Sequence, residues 1–225
     1  MKRLYHAPHR RIGVLVSGGL DSAVLLGEMA QSHSQVYPIY VRQGLAWEAV
    51  ELYWLRRFLK DLRKPAIQPL TILALPMRDV YGAHWSLGRG AVPNARSKDA
   101  AVYLPGRNLV LLVKAAVFAV LHGTKTLAVG SLGHNPFPDA TPGFFKLWSR
   151  TLSRALGSSI TIQAPYRSLS KTAVVRKGRR FPLGLSFSCI APVGKQHCGR
   201  CNKCAERQKA FRAAGVPDPT TYAKR

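Results

Sequence analysis

The chain has 225 residues, of which 47% are hydrophobic and 9% aromatic, a composition that supports a globular core and excludes an intrinsically disordered protein. Its 34 basic and 10 acidic residues give a formal net charge of +24, which predicts attraction to polyanions. The longest apolar stretch, residues 109–121, contains Lys114 and is too short to cross a bilayer. We therefore expect a soluble, cytoplasmic protein with no membrane contact.

The basic residues are spread along the chain and do not form one low-complexity tail. Two interpretations follow from this distribution. One is a surface that binds RNA or another polyanion, and the other is a general enrichment in arginine at a solvated surface. The sequence does not place the basic residues on one face, so both interpretations stay open.

The first predicted elements surround a glycine-rich turn. Residues 12–16 form an apolar run typical of a strand, residues 17–22 have the sequence SGGLDS, and residues 23–29 favour a helix. Two glycines let backbone N–H groups converge, the serines add hydroxyl donors, and a helix N-terminus attracts anions. Neither the GxxxxGK[ST] nor the GxGxxG pattern occurs in the sequence. This order of elements predicts a phosphate-binding turn that is neither a Walker P-loop nor a dinucleotide fingerprint.

Alternating apolar runs and helical periodicities continue along the chain. Residues 75–106 lose this periodicity and are predicted to form a long functional loop. Residues 108–120 are apolar on almost every side, which predicts a helix buried nearly all round, and Pro38 suits an edge strand or an irregular position. Strand and helix alternation predicts an α/β fold with a Rossmann-like parallel sheet, helices on both faces and ligands at the carboxyl ends of the strands. The further predicted strands cover residues 36–41, 67–73, 126–129 and 160–164, and the further helices cover residues 47–59, 144–156 and 171–180.

Four cysteines lie close together near the C-terminus, at Cys189, Cys198, Cys201 and Cys204. Two consecutive CxxC steps within sixteen residues have the density that a tetrahedral structural zinc site requires. His197 could replace one cysteine, but four sulfurs already complete the shell. A redox CxxC pair would leave two cysteines unexplained, whereas an iron–sulfur cluster is compatible with the spacing. Residues 204–214 are predicted to be helical, and residues 215–225 irregular.

Several stretches in this order resemble one family. They are SGGLDS at 17–22, VYLPGRN at 102–108, AP at 164–165 with LSK at 169–171, and SC at 188–189 leading to HCGRCNKCAERQKAF at 197–211. Together they are similar to the 7-cyano-7-deazaguanine synthases, the QueC or ExsB type of PP-loop ATP pyrophosphatase. The resemblance implies an adenine nucleotide alpha hydrolase-like fold over residues 1–185, followed by a small zinc-binding region and C-terminal helix over residues 186–225.

The resemblance also implies an activity. Members of the family use ATP and Mg²⁺ to convert 7-carboxy-7-deazaguanine and ammonia to 7-cyano-7-deazaguanine, through adenylated intermediates, in the queuosine pathway. Asp21, Lys171 and Arg107 are then expected to be catalytic. Zn²⁺ is expected at the four cysteines, and a homodimer is an expected assembly. The nucleotide is expected to be bound by Ser17, Gly18, Gly19, Leu20, Asp21, Ser22, Asn108 and Gly130.

Two stretches depart from the family pattern. Residues 130–139 read GSLGHNPFPD where the family usually has a sequence like NAEDYSGYPD, and residues 40–44 read YVRQG where a sequence like YGQRH is usual. Asp139 is the retained acid of the first stretch and is expected to contact the substrate base. The departures leave three alternatives open: a related enzyme that stops at the amide or uses another amine, a tRNA-modifying PP-loop enzyme, and a zinc-stabilised nucleic-acid-binding protein without catalysis.

Overall fold

The computed structural model describes residues 10–224, which contain a five-stranded sheet in the order β3-β2-β1-β4-β5. All four strand pairs are parallel, so the predicted Rossmann-like α/β fold is confirmed. Because β1 is the central strand, the turn that follows it opens at the middle of the carboxyl edge of the sheet. The strands are β1 (Arg11–Leu15), β2 (Gln35–Arg42), β3 (Thr71–Ala74), β4 (Thr126–Ala128) and β5 (Thr161–Gln163).

The described residues contain seven α-helices, six of which cover the sheet. One face packs against α1, α2, α6 and α7, and the opposite face packs against α4 and α5. No helix between residues 10 and 224 is both long enough and apolar enough to span a membrane. The helices are α1 (Leu20–Ser32), α2 (Glu48–Leu62), α3 (Arg78–Tyr81), α4 (Arg107–Leu121), α5 (Pro142–Ala155), α6 (Lys171–Gly178) and α7 (Asn202–Ala214).

Three predictions about individual elements were wrong. The third strand begins at Thr71 and not at residue 67, because Ile67 makes one isolated bridge to Val36 before Pro69 interrupts the pairing. Pro38 lies in β2, which is flanked by β1 and β3 and is therefore not an edge strand. Helix α4 is not buried all round, because four of its apolar residues are 36–77% exposed. They are Leu109, Val113, Val117 and Leu121.

The outer edge of β5 is covered by serines of α5. The backbone N–H of Ile162 donates to Ser149 Oγ (2.9 Å), and that of Ile160 donates to Ser153 Oγ (3.0 Å). Ser153 Oγ also lies 3.1 Å from the carbonyl oxygen of Ile160, to which it donates. Helix α5 therefore binds the backbone groups that would otherwise be open at this end of the sheet.

The predicted loop, residues 75–106, contains α3 and two short 3₁₀ turns, and it packs against the cysteine region. The N–H of Asn202 donates to the carbonyl of Pro93 (3.0 Å), and the N–H of Ala95 donates to the carbonyl of Arg200 (3.0 Å). The loop is thus held by backbone bonds to residues that are more than 100 positions later in the sequence. This contact is one that periodicity along the chain cannot indicate.

The C-terminal segment is irregular in its described part, as predicted, and Arg207 of α7 holds it. This side chain is fully buried, and its Nε donates to Thr220 Oγ1 (2.6 Å) and lies 3.5 Å from an oxygen of Asp218. Its terminal nitrogens donate to Ser186 Oγ and to the carbonyl of Leu183, both at 2.9 Å. A buried cation with this many partners stabilises the packing of the tail on α7.

Candidate functional site

We call residues 17–22 the phosphate cradle, which lies between β1 and the first turn of α1. The N–H of Ser17 donates to Ser22 Oγ (3.1 Å), and the N–H of Gly19 donates to Ser17 Oγ (3.3 Å). Gly19 is the N-cap of α1 and makes no side-chain cap, so the helix start keeps open N–H donors. Gly18 has a φ of +73°, which favours glycine. Open donors and a helix dipole make the cradle suited to a phosphate group.

A partly buried cation lies beside the cradle. Lys171, the first residue of α6, places Nζ 2.6 Å from Asp21 Oδ2 and 3.4 Å from Glu206 Oε1. Burial alone would lower the pKa of Lys171, but the two carboxylates outweigh burial and raise this pKa, so the ammonium is retained. Burial alone would raise the pKa of Glu206, whereas Lys171 and Lys203 together lower it to about 2. Lys171 and Glu206 are therefore both charged at neutral pH.

Asp21 differs from Glu206 in its electrostatics. Burial raises the pKa of Asp21, and the neighbouring Lys171 only partly opposes this effect. Its Oδ1 atom is buried and has no hydrogen-bond partner among the described residues, although Oδ2 is paired with Lys171. A buried carboxylate oxygen without a hydrogen-bond partner is suited to binding a cation.

Helix α4 begins on the opposite side of the cradle. Arg107 Nε donates to Gln43 Oε1 (3.1 Å), which directs this cation toward the end of β2. The backbone N–H of Asn108 donates to Asp139 Oδ2 (2.8 Å), and Asn108 Nδ2 donates to the carbonyl oxygen of Asp139 (3.1 Å). Asp139 is only 7% exposed, so its carboxylate acts here as a cap for the start of α4. The prediction that Asp139 contacts the substrate base stays a prediction.

Two cavities meet at the cradle. The first, of about 190 Å³, extends over β1 and β2 and is lined by the cradle together with apolar side chains of α4. The second, of about 390 Å³, lies between α6, α7 and the loop after β4. Asp21, Gly130 and Asn135 line both cavities and form a wall that the two cavities share.

The predicted site residues fall into three groups. Leu20 is 1% exposed and packs in the core, and Gly18 shapes the turn without lining either cavity. Asp139 lines neither cavity, and Lys171 lines the second. The remaining predicted nucleotide-site and catalytic residues line the first cavity, namely Ser17, Gly19, Asp21, Ser22, Arg107, Asn108 and Gly130.

Sequence reasoning missed a hydrogen-bonded polar pair in the lining of the first cavity. Tyr40 OH donates to Glu51 Oε2 (2.5 Å), and both residues are less than 7% exposed. Burial raises the pKa of Glu51 to about 7, although the Tyr40 bond and Arg107 act in the opposite direction. The one sequence signal that could have identified Glu51 is the scarcity of acids. The chain has only ten acids, so an acid on the apolar face of α2 is unusual.

The cysteine cluster consists of the four predicted cysteines, all of them buried. Their Sγ atoms lie within 4.8 Å of one another. The distances from Cys189 to Cys201 and from Cys198 to Cys204 are 3.9 and 4.0 Å, close to the ~3.8 Å sulfur separation of a tetrahedron with Zn–S bonds of about 2.3 Å. His197 Nε2 accepts from the N–H of Ser188 (3.1 Å). The cluster could hold a zinc ion with four sulfur ligands and without His197.

A parallel α/β sheet with this cradle at its central strand defines a PP-loop ATP pyrophosphatase. Solved structures share the fold. A 4-thiouridine synthetase in complex with RNA and ATP superposes with a TM-score of 0.51 at 15% identity, over 91% of this chain and 50% of the other. A predicted tRNA methyltransferase subunit from Methanocaldococcus jannaschii gives a TM-score of 0.50 at 13% identity, over 95% and 92% of the two chains.

Sequence relatives identify the family within that class. The family model for the queuosine biosynthesis protein QueC matches residues 11–215, so the chain belongs to the QueC family. A 7-cyano-7-deazaguanine synthase from Anaeromyxobacter dehalogenans is 32% identical, over 96% of this chain and 97% of the relative. One from Rhizobium johnstonii is 33% identical, over 93% and 90%. These matches confirm the predicted family and the predicted enzyme class, an ATP-dependent enzyme that forms C–N bonds.

Proposed function

We propose that the protein converts 7-carboxy-7-deazaguanine and ammonia to 7-cyano-7-deazaguanine and cleaves ATP to AMP and pyrophosphate at each activation. The observation that carries the proposal is the shared wall between two cavities in a chain of the QueC family. The two relatives described above are 7-cyano-7-deazaguanine synthases, and this chain aligns with each over nearly its whole length.

The two cavities support a division between nucleotide and acceptor. The first combines open N–H donors of the cradle with apolar walls, which suits a triphosphate joined to adenosine. The second has Lys203 and Lys209 on one face of α7, with Phe137 on the opposite wall. A planar base that carries a carboxylate fits this combination of an aromatic surface and two cations.

The proposed reaction balances as two activations. The acceptor carboxylate attacks the α-phosphorus of ATP and pyrophosphate leaves; ammonia then attacks the carboxyl carbon and AMP leaves, giving the amide. In the second round the amide oxygen attacks the α-phosphorus of another ATP, and pyrophosphate leaves again. The C–O bond then breaks, the amide nitrogen loses its protons, and AMP leaves with the oxygen, giving the nitrile. An adenylate is needed each time, an acyl adenylate first and an imidoyl adenylate second, because neither a carboxylate oxygen nor an amide oxygen leaves unaided.

Within this reaction the residues of the chain have distinct roles. The cradle donors hold the departing pyrophosphate, and the ammonium of Lys171 stabilises the negative charge that develops at the phosphates. Arg107, held by Gln43, offers a second cation at the nucleotide side. We assign Mg²⁺ to the unpartnered Oδ1 of Asp21, where the metal would neutralise phosphate charge. We assign zinc to the cysteine cluster as a structural ion.

One experiment tests the proposal. The protein is incubated with ATP, Mg²⁺, ammonium and 7-carboxy-7-deazaguanine, and products are identified by mass spectrometry. We expect 7-cyano-7-deazaguanine, with AMP and pyrophosphate, and no product from Lys171→Ala. ADP and phosphate as products would contradict the PP-loop chemistry. AMP production without the nitrile would leave the amide, or a conjugate with another amine, as the product.

Two further expectations accompany this proposal. A homodimer is the assembly we propose, and the exposed apolar stripe of α4 is the surface on which a second copy would be sought. The cytoplasmic location stays a prediction from the sequence. Light scattering of the purified protein tests the dimer.

A further inference from the structure

The acidic and basic residues of this protein are separated between interior and surface. All ten acids lie in the described part of the chain, and only three of them, Asp61, Asp79 and Asp99, are exposed. The others are buried or partly buried in the cavities, caps and ion pairs. Most of the basic residues in the described part of the chain are exposed, with few exposed anions to neutralise them.

One part of this surface combines basic and aromatic side chains. We call it the basic-aromatic surface, formed by the outer face of α2 and the Lys195 turn. The residues at positions 53, 56, 57 and 60 have spacings of three and four, so they share one face of α2, and Lys64 follows the end of the helix at Leu62. The basic members are all exposed, and Tyr53 and its neighbour Trp54 are partly buried. The members are Tyr53, Trp54, Arg56, Arg57, Lys60, Lys64 and Lys195.

Cations lie close to both rings of this surface. Lys195 Nζ lies 4.3 Å from the ring centroid of Tyr53, and Arg57 Cζ lies 5.6 Å from the ring centroids of Tyr53 and Trp54. Trp54 Nε1 donates to the carbonyl of Lys195 (2.7 Å), which joins α2 to the turn that precedes Cys198. The surface is therefore ordered by its own contacts, with cations interleaved between aromatic rings.

The helix carries this charge at a local cost. Arg56 and Lys60 are like charges four residues apart in α2, which destabilises an isolated helix. Asp61 is the one exposed acid on α2, and the other acids of the helix, Glu48 and Glu51, are buried on its inner side. A bound polyanion would offset the repulsion.

We propose that the basic-aromatic surface binds single-stranded segments of RNA. Phosphates would pair with the cations, and unpaired bases would stack on the rings, a combination typical of single-strand recognition. An anionic membrane would use the cations but would not need interleaved rings. Glu51 faces the first cavity from the inner side of α2, so RNA on the outer face leaves that cavity open. The proposal is independent of the reaction proposed above.

The test compares two variants with equal charge loss. Arg56→Gln/Arg57→Gln/Lys60→Gln changes the basic-aromatic surface, and Lys146→Gln/Arg150→Gln/Arg154→Gln removes three exposed cations from α5. Binding of a fluorescent, unstructured RNA of about 16 nucleotides is measured by anisotropy over a range of salt concentrations. We expect the α2 variant to lose about tenfold or more in affinity, and its log–log salt slope to fall by about 2. The α5 variant should change affinity less than threefold on this scale.

A third variant, Tyr53→Leu, separates stacking from charge. It should weaken single-stranded RNA about tenfold while leaving an RNA duplex of the same length nearly unchanged. ATP-dependent pyrophosphate release of all variants serves as the folding control. Equal losses in the α2 and α5 variants would overturn the proposal in favour of diffuse attraction. If the α2 variant lost binding to phosphatidylserine vesicles but kept the RNA affinity of the parent, the RNA proposal would be overturned in favour of a membrane surface.

Discussion

The phosphate cradle and the cysteine cluster are both formed by short stretches of chain, but they differ in what they leave unsatisfied. The cradle presents N–H donors at an uncapped helix start and an unpartnered carboxylate oxygen. In the cysteine cluster the sulfurs face one another, and backbone N–H groups of Ala191, Cys198 and Cys201 donate to them. Open groups suit a ligand that enters and leaves, whereas a closed shell suits an ion that stays. The two regions should therefore respond differently to substitution.

The largest effect is expected at the closed region. Cys201→Ser removes one of four ligands, and structural zinc contributes an apparent ~10–16 kcal/mol in zinc-finger peptides, comparable to the whole stability of a domain of about 5–15 kcal/mol. We expect loss of about one zinc per chain, measured by plasma mass spectrometry, together with loss of the folded circular-dichroism signal. Gln196→Ser, an exposed change in the same turn, is the control. A metal-free Cys201→Ser protein that stays folded would contradict a structural zinc.

At the open region the effect should fall on activity and not on folding. Asp21→Asn keeps the shape and an acceptor for Lys171 but removes the carboxylate charge. Pyrophosphate release should fall at least about a hundredfold. The melting temperature should change by only a few degrees, because Lys171 retains Glu206 as a partner. An unfolded Asp21→Asn protein would show that the two regions do not differ in this way.

Two glycines with similar backbone conformations give a matched pair. Gly18 has φ +73° and Gly199 has φ +76°, so alanine should cost about 1–2 kcal/mol at either position. At Gly18 a Cβ would also lie 3.2 Å from the carbonyl oxygen of Glu51, whereas at Gly199 the nearest atom is an ordinary 3.5 Å away. Only Gly18→Ala should also weaken ATP binding, which calorimetry would measure. Equal ATP affinity in both variants would remove Gly18 from the nucleotide site.

Glu51 provides a test by pH. Its pKa is raised to about 7 by burial, so the folded protein binds a proton more tightly than the unfolded chain does, and stability falls as pH rises from about 4.5 to 7. The Glu51→Gln variant has no carboxyl at this position, so its stability does not fall with pH for this reason. Relative to the parent it should gain up to about 3 kcal/mol between pH 4.5 and 8, measured by urea unfolding. Parallel pH profiles would contradict a carboxyl that is neutral in the fold.

The smallest effect is expected for Asp139→Asn. As a cap, the residue keeps an acceptor for the N–H of Asn108 and loses only a charge near a helix start, about 0.3–1 kcal/mol of stability. As a ligand of the substrate base, its loss should raise the KM for 7-carboxy-7-deazaguanine about tenfold with ATP affinity unchanged. Steady-state kinetics with each substrate distinguish the two roles.

Features encoded locally were predictable from the sequence, and features made by distant contacts were not. The cradle and the four cysteines each follow from spacing within sixteen residues or fewer, and the alternation of strands and helices indicated the sheet class. The role of Lys171 was instead implied by the family resemblance. The pairing of Tyr40 with Glu51 and of Lys171 with Glu206 joins elements that no local pattern connects. The prediction that α4 is buried nearly all round was wrong for another reason. Periodicity identifies apolar positions without identifying which face meets the core.

The serine-covered edge of β5 has a consequence for behaviour at high concentration. An uncovered outer strand offers N–H and C=O groups to a second chain, which is a route to aggregation. Here Ser149 and Ser153 satisfy the N–H groups of Ile162 and Ile160 from within the same molecule. Strand-to-strand association at this end of the sheet would first have to displace two hydrogen bonds and the helix that supplies them. The edge is therefore protected by side chains rather than by charge, and salt should not remove that protection.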